Sequence, residues 1–455
     1  LDYDPITETL ITVGGSEAID LAMRVMLDPG DEVLIPEPCY VSYVPCCILA
    51  GGKPHVIELQ AKNEFRLTKE ELLEHITEKT KILVLPFPNN PTGAIMSRED
   101  LKAIAEVVEE KDLFVLSDEI YAELTYGGNH VSFASLPGMK ERTITINGFS
   151  KSHAMTGWRL GYACGPAEIL SQMTKLHQYA IMCAPTTSQY AAVEALRNGD
   201  ADVEEMRQAY NGRRRYLLHA FEEMGLSCFE PKGAFYVFPS IQKFGLSSDE
   251  FAERLLREER LAVVPGTAFG ECGEGFLRIS YAYSLEDLKK ALERLKHFIR
   301  KLEAEKLNIV LLEPEIPSNT GNIGRTCVAT GTRLHLIEPL GFRLTEKNLR
   351  RAGMDYWKDL DVTTYINYED FLEKNPGAKI YMATTKGPRV YTDVSYEPDC
   401  YIIFGKESAG IPEEILLENQ ERAVRIPMIG DIRSLNLANS AAVGLYEAWR
   451  SLGFP

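Results

Sequence analysis

Ser150 and Lys151 sit directly behind a short apolar run, Thr143 to Ile146, that ends at Asn147-Gly148, and Arg159 follows the lysine by eight residues inside a Gly-rich turn. The run reads as a buried strand closed by a turn. A lysine at the end of such a strand is desolvated, which lowers its pKa and makes the amine a nucleophile toward carbonyls. An arginine close behind it offers a planar pair of donors for a phosphate. A reactive amine beside a phosphate clamp suits pyridoxal phosphate, held as a Schiff base. The plain alternative is that Lys151 is an ordinary surface lysine.

The elements around this pair follow one pattern. I-T-V-G-G-S-E runs a strand into Gly14-Gly15, and a helix opens at Ser16 with Ile19, Ala22, Met23 and Met26 on one face. The free N–H groups at such a helix start bind anions. K-I-L-V-L reads as a strand and runs into the turn P-F-P-N-N-P-T-G, which carries Asn90. After a helix from Arg98 to Glu110, the strand L-F-V-L-S ends in D-E-I-Y, placing Asp118 and Tyr121 at its carboxyl end. That edge is where α/β sheets bind ligands, although Asp118 also reads as a helix cap or a sheet-edge ion pair. Gly233 to Phe238 and Gly275 to Tyr281 read as strands, and the second carries Arg278. An arginine in a buried strand needs an anionic partner, either an internal carboxylate or a ligand. Ser284 opens a helix whose Leu288, Leu292, Leu295, Phe298, Ile299 and Leu302 form one apolar stripe. Strands alternating with long helices predict an α/β fold built on a mostly parallel, doubly wound sheet.

S-K-x-x-x-x-x-G-x-R at Ser150 to Arg159, N-P-T-G after Asn90 and D-E-I-Y at Asp118 resemble the motifs of class I, fold-type-I pyridoxal-phosphate aminotransferases. The resemblance covers residues 1–303, with a large domain over about 14–205 and a small domain over about 206–303. It implies that Gly15, Ser16, Ser150 and Arg159 cradle the cofactor phosphate and that Tyr40, where many relatives carry Trp, stacks on the ring. A core tyrosine is the other reading of Tyr40. Asp118 then pairs with the pyridine nitrogen, Asn90 and Tyr121 with the phenolate, and Arg278 with the substrate α-carboxylate. The substrates implied are an amino acid and a 2-oxo acid. Relatives have residues upstream of Leu1, so a missing N-terminal portion is expected. A carbon–sulfur lyase on the same fold, or a non-catalytic dimerising scaffold, are the competing expectations for this region.

A helical junction at 304–306, without a Gly/Ser or Pro linker, leads into a second α/β pattern over 307–455. Strands are expected near Leu334–Ile337, Lys379–Ala383, Tyr401–Phe404 and Val424–Ile426. Three polar clusters punctuate it: P-E-I-P-S-N-T-G-N-I-G-R, F-G-K-E-S-A-G-I-P, and R-I-P-M-I-G-D-I-R-S-L-N-L-A-N-S. Each singly reads as a loop opening a helix, with Ser434 or Asn436 as the cap of the last. Together they resemble the motifs of the SPOUT RNA 2′-O-methyltransferases, nearest to the bacterial enzymes acting on the tRNA wobble nucleotide at position 34. The resemblance implies a trefoil-knotted sheet binding S-adenosylmethionine, with Ala383, Gly405, Ile426 and Ser434 lining the pocket. It implies a catalytic role for Arg325 and a methyl transfer to cytidine or uridine in the anticodon loop, with a leucine tRNA as the expected substrate. An arginine pKa above about 12 makes a literal base role difficult, so steadying a phosphate and the developing alkoxide is the better expectation.

The totals set limits. A chain of 455 residues predicts about three domains. No apolar run reaches the roughly 18 residues that span a bilayer. Nine scattered cysteines without a C-x-x-C pair fit neither a zinc site nor a disulfide framework; no metal is expected, and a reducing cytoplasm is. A net charge of −17 argues against a protein that coats nucleic acid generically. The tail has 16 Lys/Arg against 20 Asp/Glu, and its densest basic cluster is Arg333, Arg343, Lys347, Arg350 and Arg351. That cluster reads equally as a tRNA-phosphate contact or a solvated face. Both resemblances imply homodimers.

Overall fold

The structure is a computed structural model that describes residues 1–304, 306–342, 357, 359–429 and 434–453. Of the basic cluster, Arg343, Lys347, Arg350 and Arg351 lie outside the described residues. The chain divides into two compact units, Leu1–Lys296 and His297–Pro455.

The first unit holds strands β1 (Thr9–Thr12), β2 (Glu32–Glu37), β3 (Lys53–Glu58), β4 (Thr80–Leu85), β5 (Phe114–Asp118), β6 (Thr143–Gly148) and β7 (Gly161–Cys164). They form one sheet in the order β1-β7-β6-β5-β4-β2-β3. The pairs β2/β3, β2/β4, β4/β5 and β5/β6 are parallel, whereas β7 runs antiparallel to both β6 and β1. The sheet is therefore mixed, in the manner of fold-type-I pyridoxal-phosphate enzymes. Its central strands β4 and β5 carry near-continuous buried runs because both faces are covered, whereas the edge strands β1 and β3 leave residues exposed. In β4, Leu83 and Leu85 join one core cluster with Ile104, Val107 and Val108, while Ile82 and Val84 join the other with Ile19, Ala22 and Met23. The carboxyl ends of β4, β5 and β6 deliver the Asn90 turn, Asp118 and Lys151 to one rim.

A second sheet, β8 (Tyr236–Val237), β10 (Leu277–Ser280) and β9 (Val264–Pro265), is antiparallel. The expected strand from Gly233 to Phe238 shrinks to two residues. Ala234 holds a left-handed φ of 57°, and Gly233 is held in a bridge with Thr125, so the chain bends before Tyr236. The helix Leu285–Ala304 starts where Ser284 accepts from the Asp287 N–H, and its predicted stripe is buried from Leu288 to Leu302.

The second unit contains β11 (Asn308–Leu312), β12 (Arg333–Ile337), β13 (Val362–Tyr365), β14 (Ile380–Ala383), β15 (Arg389–Val390), β16 (Tyr401–Phe404) and β17 (Ala423–Arg425). Its sheet order is β13-β12-β11-β16-β14-β17-β15, with every described pairing parallel. This all-parallel arrangement is consistent with a SPOUT trefoil-knot domain. The strands missed in the sequence, β13 and β15, are its two edges; V-T-T-Y and R-V leave residues exposed and carry no long apolar run. Among the described residues, no helix is long and apolar enough to cross a membrane.

Candidate active sites

In the first unit a cavity of about 300 Å³ is lined by ten of the residues singled out from the sequence: Gly15, Ser16, Tyr40, Asn90, Asp118, Tyr121, Ser150, Lys151, Arg159 and Arg278. Lys151 lies in the helical turn Phe149–Ser152, directly behind β6, with its ammonium 5.7 Å from the Phe235 ring centre and 5.9 Å from that of Tyr121. Burial lowers its pKa, and the positive fields of Arg159 and Arg278 push the same way against Tyr40 and Asp118.

Asp118, at the end of β5, is buried, and burial raises its pKa. Two donors oppose that rise: the Tyr43 hydroxyl at 2.7 Å and the Ile120 N–H at 3.2 Å. Tyr121 and Tyr236 share a hydrogen bond between their hydroxyls at 3.0 Å. Arg278 donates from Nη1 to Asn90 Oδ1 at 3.1 Å and lies 4.6 and 4.8 Å from the ring centres of Tyr236 and Phe269. Its buried Nε has no partner among the described residues. An unpaired buried guanidinium donor is costly and is satisfied by an anion.

The opposite wall is the start of the helix Gly14–Met26. Gly14 has φ +73°, and a Cβ there would stand 2.7 Å from Arg159 Nη2. A Cβ on Gly161 would press 2.6 Å from the Gly14 carbonyl carbon. These glycines bring the helix start and the Arg159 guanidinium into one pocket, which only Cβ-free residues permit. Thr156 steadies the loop by donating to the Ser150 carbonyl at 2.8 Å. Tyr43, Thr156 and Tyr236 line the cavity and were not singled out in the sequence. The one available signal was the Y-V-S-Y spacing, which sets Tyr43 three residues beyond Tyr40.

The second unit has a cavity of about 550 Å³, and Ala383, Gly405, Ile426 and Ser434 all line it. A Cβ on Gly405 would overlap the backbone of Gly410 and Ile411, because the Gly410 N–H turns back to the Lys406 carbonyl at 2.8 Å. Glu407 braces this loop by accepting from the backbone N–H groups of Glu315 (2.8 Å) and Ile316 (3.3 Å) and from Asn319 Nδ2 (3.0 Å). Asn436 caps the helix Leu437–Ser451 and donates to Asn319 Oδ1 at 3.0 Å, tying the three polar clusters together. Arg325 stands exposed on the helix Pro317–Thr330 and is not among the described residues lining the cavity.

The family described as "Aminotransferase class I and II" matches residues 1–295. The chain belongs to that family. The SpoU rRNA methylase family matches residues 306–446, so the aminotransferase carries a SpoU-type unit behind it. Residues of the aminotransferase part are 48% identical over 304 positions to the aspartate aminotransferase of Pyrococcus abyssi, a match covering 66% of this chain and 78% of that protein. They are 47% identical over 304 positions, with the same coverage, to aromatic-amino-acid aminotransferase 2 of Thermococcus litoralis. The crystal structure of an aromatic aminotransferase from Pyrococcus horikoshii superposes with a TM-score of 0.65 at 48% identity, covering 66% of this chain and 82% of that one.

The cofactors of the two families are pyridoxal phosphate and S-adenosylmethionine. The aminotransferase cavity fits the first: it offers a desolvated amine, a buried carboxylate, a guanidinium packed on a helix start and an orphaned Arg278 Nε. The second cavity fits the other: apolar Ile402, Phe404 and Val424 line it together with the residues of the 405–411 loop.

Proposed function

We propose that the first region is an amino-acid transaminase and the second a tRNA ribose 2′-O-methyltransferase of the wobble nucleotide, cytidine or uridine at position 34, in a leucine tRNA. The convergence of Lys151, Asp118, Arg159 and Arg278 on one cavity carries the first reading. Arg159 and the N–H groups behind Gly15 and Ser16 would hold the phosphate, and Asp118 would keep a proton on the pyridine nitrogen. Pyridoxal phosphate, when bound, supplies the electron sink that acidifies the substrate α-carbon. Arg278 binds the α-carboxylate and so orients the α-carbon. Lys151 Nζ would be the amine that holds the cofactor, and once free of it would move the proton at the substrate α-carbon. Its lowered pKa leaves more of the amine unprotonated near neutrality.

In the second region the shared Glu407–Asn319–Asn436 network supports a single built pocket, with Ala383, Gly405, Ile426 and Ser434 around S-adenosylmethionine. Arg325 shares its helix with Asn319, so a group anchored to the pocket also sets the position of that guanidinium. Its role is to hold a tRNA phosphate and the developing 2′-alkoxide.

Both halves are open to direct assay. The chain incubated with pyridoxal phosphate, an amino acid and a 2-oxo acid should exchange the amino group, and Lys151→Ala should abolish exchange. Labelled methyl should pass to tRNA and not in Arg325→Ala. Normal methylation by Arg325→Lys across the pH–rate profile would overturn the role given to the guanidinium.

A further inference from the structure

We propose that Glu17 and His177 are positioning residues for the cofactor phosphate, which together keep the anion-binding turn at the start of the helix Gly14–Met26 in shape and open. The proposal rests on the phosphate placement given above and names the groups that maintain it. From this turn Gly15 and Ser16 line the cavity, while Glu17 is drawn to other partners.

A helix start needs partners for its first N–H groups, and a Ser, Thr, Asp or Asn at the cap usually supplies one. Here the cap is Val13, which makes no side-chain cap bond. The N–H groups of Gly15 and Ser16, the positions such a cap would fill, are thereby left for an anion.

Glu17 is a rival to that anion. It sits in the same first turn, where the helix dipole favours any negative charge. A carboxylate free to fold onto those N–H groups would compete with the phosphate. Both of its oxygens are committed elsewhere. Oε2 accepts from the Val13 N–H at 2.5 Å, reaching back to the cap as the acid of a capping box does. Oε1 lies 2.8 Å from His177 Nδ1, 160 positions along the chain. An ionised carboxylate has no proton to give, so Nδ1 carries the hydrogen. The pair is enclosed, with the His177 side chain 6% exposed and that of Glu17 14%, so water offers little alternative.

His177 belongs to the last turn of the helix Ala167–Ala180, which packs against the helix Gly14–Met26. Its hydrogen bond therefore ties the phosphate turn to a second helix. Thr12 fixes the same turn by donating to the Gly14 carbonyl at 2.8 Å.

The test titrates the full chain, stripped of cofactor, with pyridoxal phosphate and with pyridoxal, which lacks the phosphate, and reads the absorbance of the bound cofactor. His177→Leu frees one Glu17 oxygen, and should weaken pyridoxal phosphate by at least about tenfold while changing pyridoxal by less than about threefold. Adding Glu17→Gln to that chain removes the rival charge and keeps an acceptor for Val13, so it should restore most of the loss. Glu17→Asp leaves His177 in place and keeps the charge, but is too short to reach both partners; it should show the same phosphate-specific loss. Equal loss of both ligands, or of neither, in these variants would overturn the proposal, as would a loss that Glu17→Gln leaves in place. If the unaltered chain bound pyridoxal as tightly as pyridoxal phosphate, the phosphate placement itself would fall, and this proposal with it.

Discussion

Tyr43 gives its hydroxyl proton to Asp118 Oδ2 at 2.7 Å, although the two residues lie 75 positions apart. Tyr43 is wholly buried, and its own pKa stands well above the ordinary phenol value, first through desolvation and then through Asp118. It is therefore a fixed donor. It opposes the burial that raises the Asp118 pKa, without cancelling it.

Removing that donor in Tyr43→Phe should raise the Asp118 pKa further and weaken its grip on a protonated ring nitrogen. We expect transamination to fall about tenfold, with its acid limb moving to higher pH. The pH profile of kcat/KM, compared between the two proteins, checks this. The lost buried hydrogen bond should also cost roughly 2 kcal/mol in urea unfolding.

The lowered pKa of Lys151 predicts when the amine reacts. The rate at which cofactor-free protein captures pyridoxal phosphate should rise with pH through a midpoint below the 10.5 of an unperturbed lysine. Arg278→Gln removes one of the cations that depress it, so the midpoint should move up. Stopped-flow absorbance across pH measures both, and an unmoved midpoint would show that Arg278 exerts no field on the amine.

His335, on β12 in the second unit, is buried with its pKa pushed down to about 4 by desolvation, with Arg333 adding to the effect. Its neutral form is fully satisfied. Asn308 donates through Nδ2 to Asp399 and to the Cys400 carbonyl, so its Oδ1 accepts from His335 Nε2 at 3.1 Å. Tyr365 accepts from Asn375 and so gives its proton to His335 Nδ1 at 2.9 Å. The unfolded histidine titrates near 6.5, so the unfolded state binds the extra proton between pH 6.5 and 4. Stability is full above pH 6.5 and is lost as pH falls through that window, by roughly 3 kcal/mol in all. Urea titrations of the second unit's transition at pH 7 and pH 4.5 should show the loss, and His335→Gln should flatten it.

Gly405→Ala should close the second cavity, because a methyl group there meets backbone, not a flexible side chain. The overlap with Gly410 and Ile411 backbone forces the 405–411 loop to shift. Calorimetry should find S-adenosylmethionine binding weakened by at least about tenfold, with the absorbance of pyridoxal phosphate on the first unit unchanged.

The strands that end before the Asn90 turn, Asp118 and Lys151, the buried stripe of Leu285–Ala304 and the residue types around Lys151 were readable in the sequence, because periodicity and turn chemistry are local. The strand pairing was only partly so: β7 enters the sheet antiparallel, and the short edges β13 and β15 carry too few apolar residues to announce themselves. What only the tertiary structure decided is who meets whom. Asn90 meets Arg278 across 188 positions, and Asn319 meets Asn436 across 117. No local pattern encodes such pairs; they exist because packed strands bring distant chain ends to one rim and burial then obliges each polar group to find a partner.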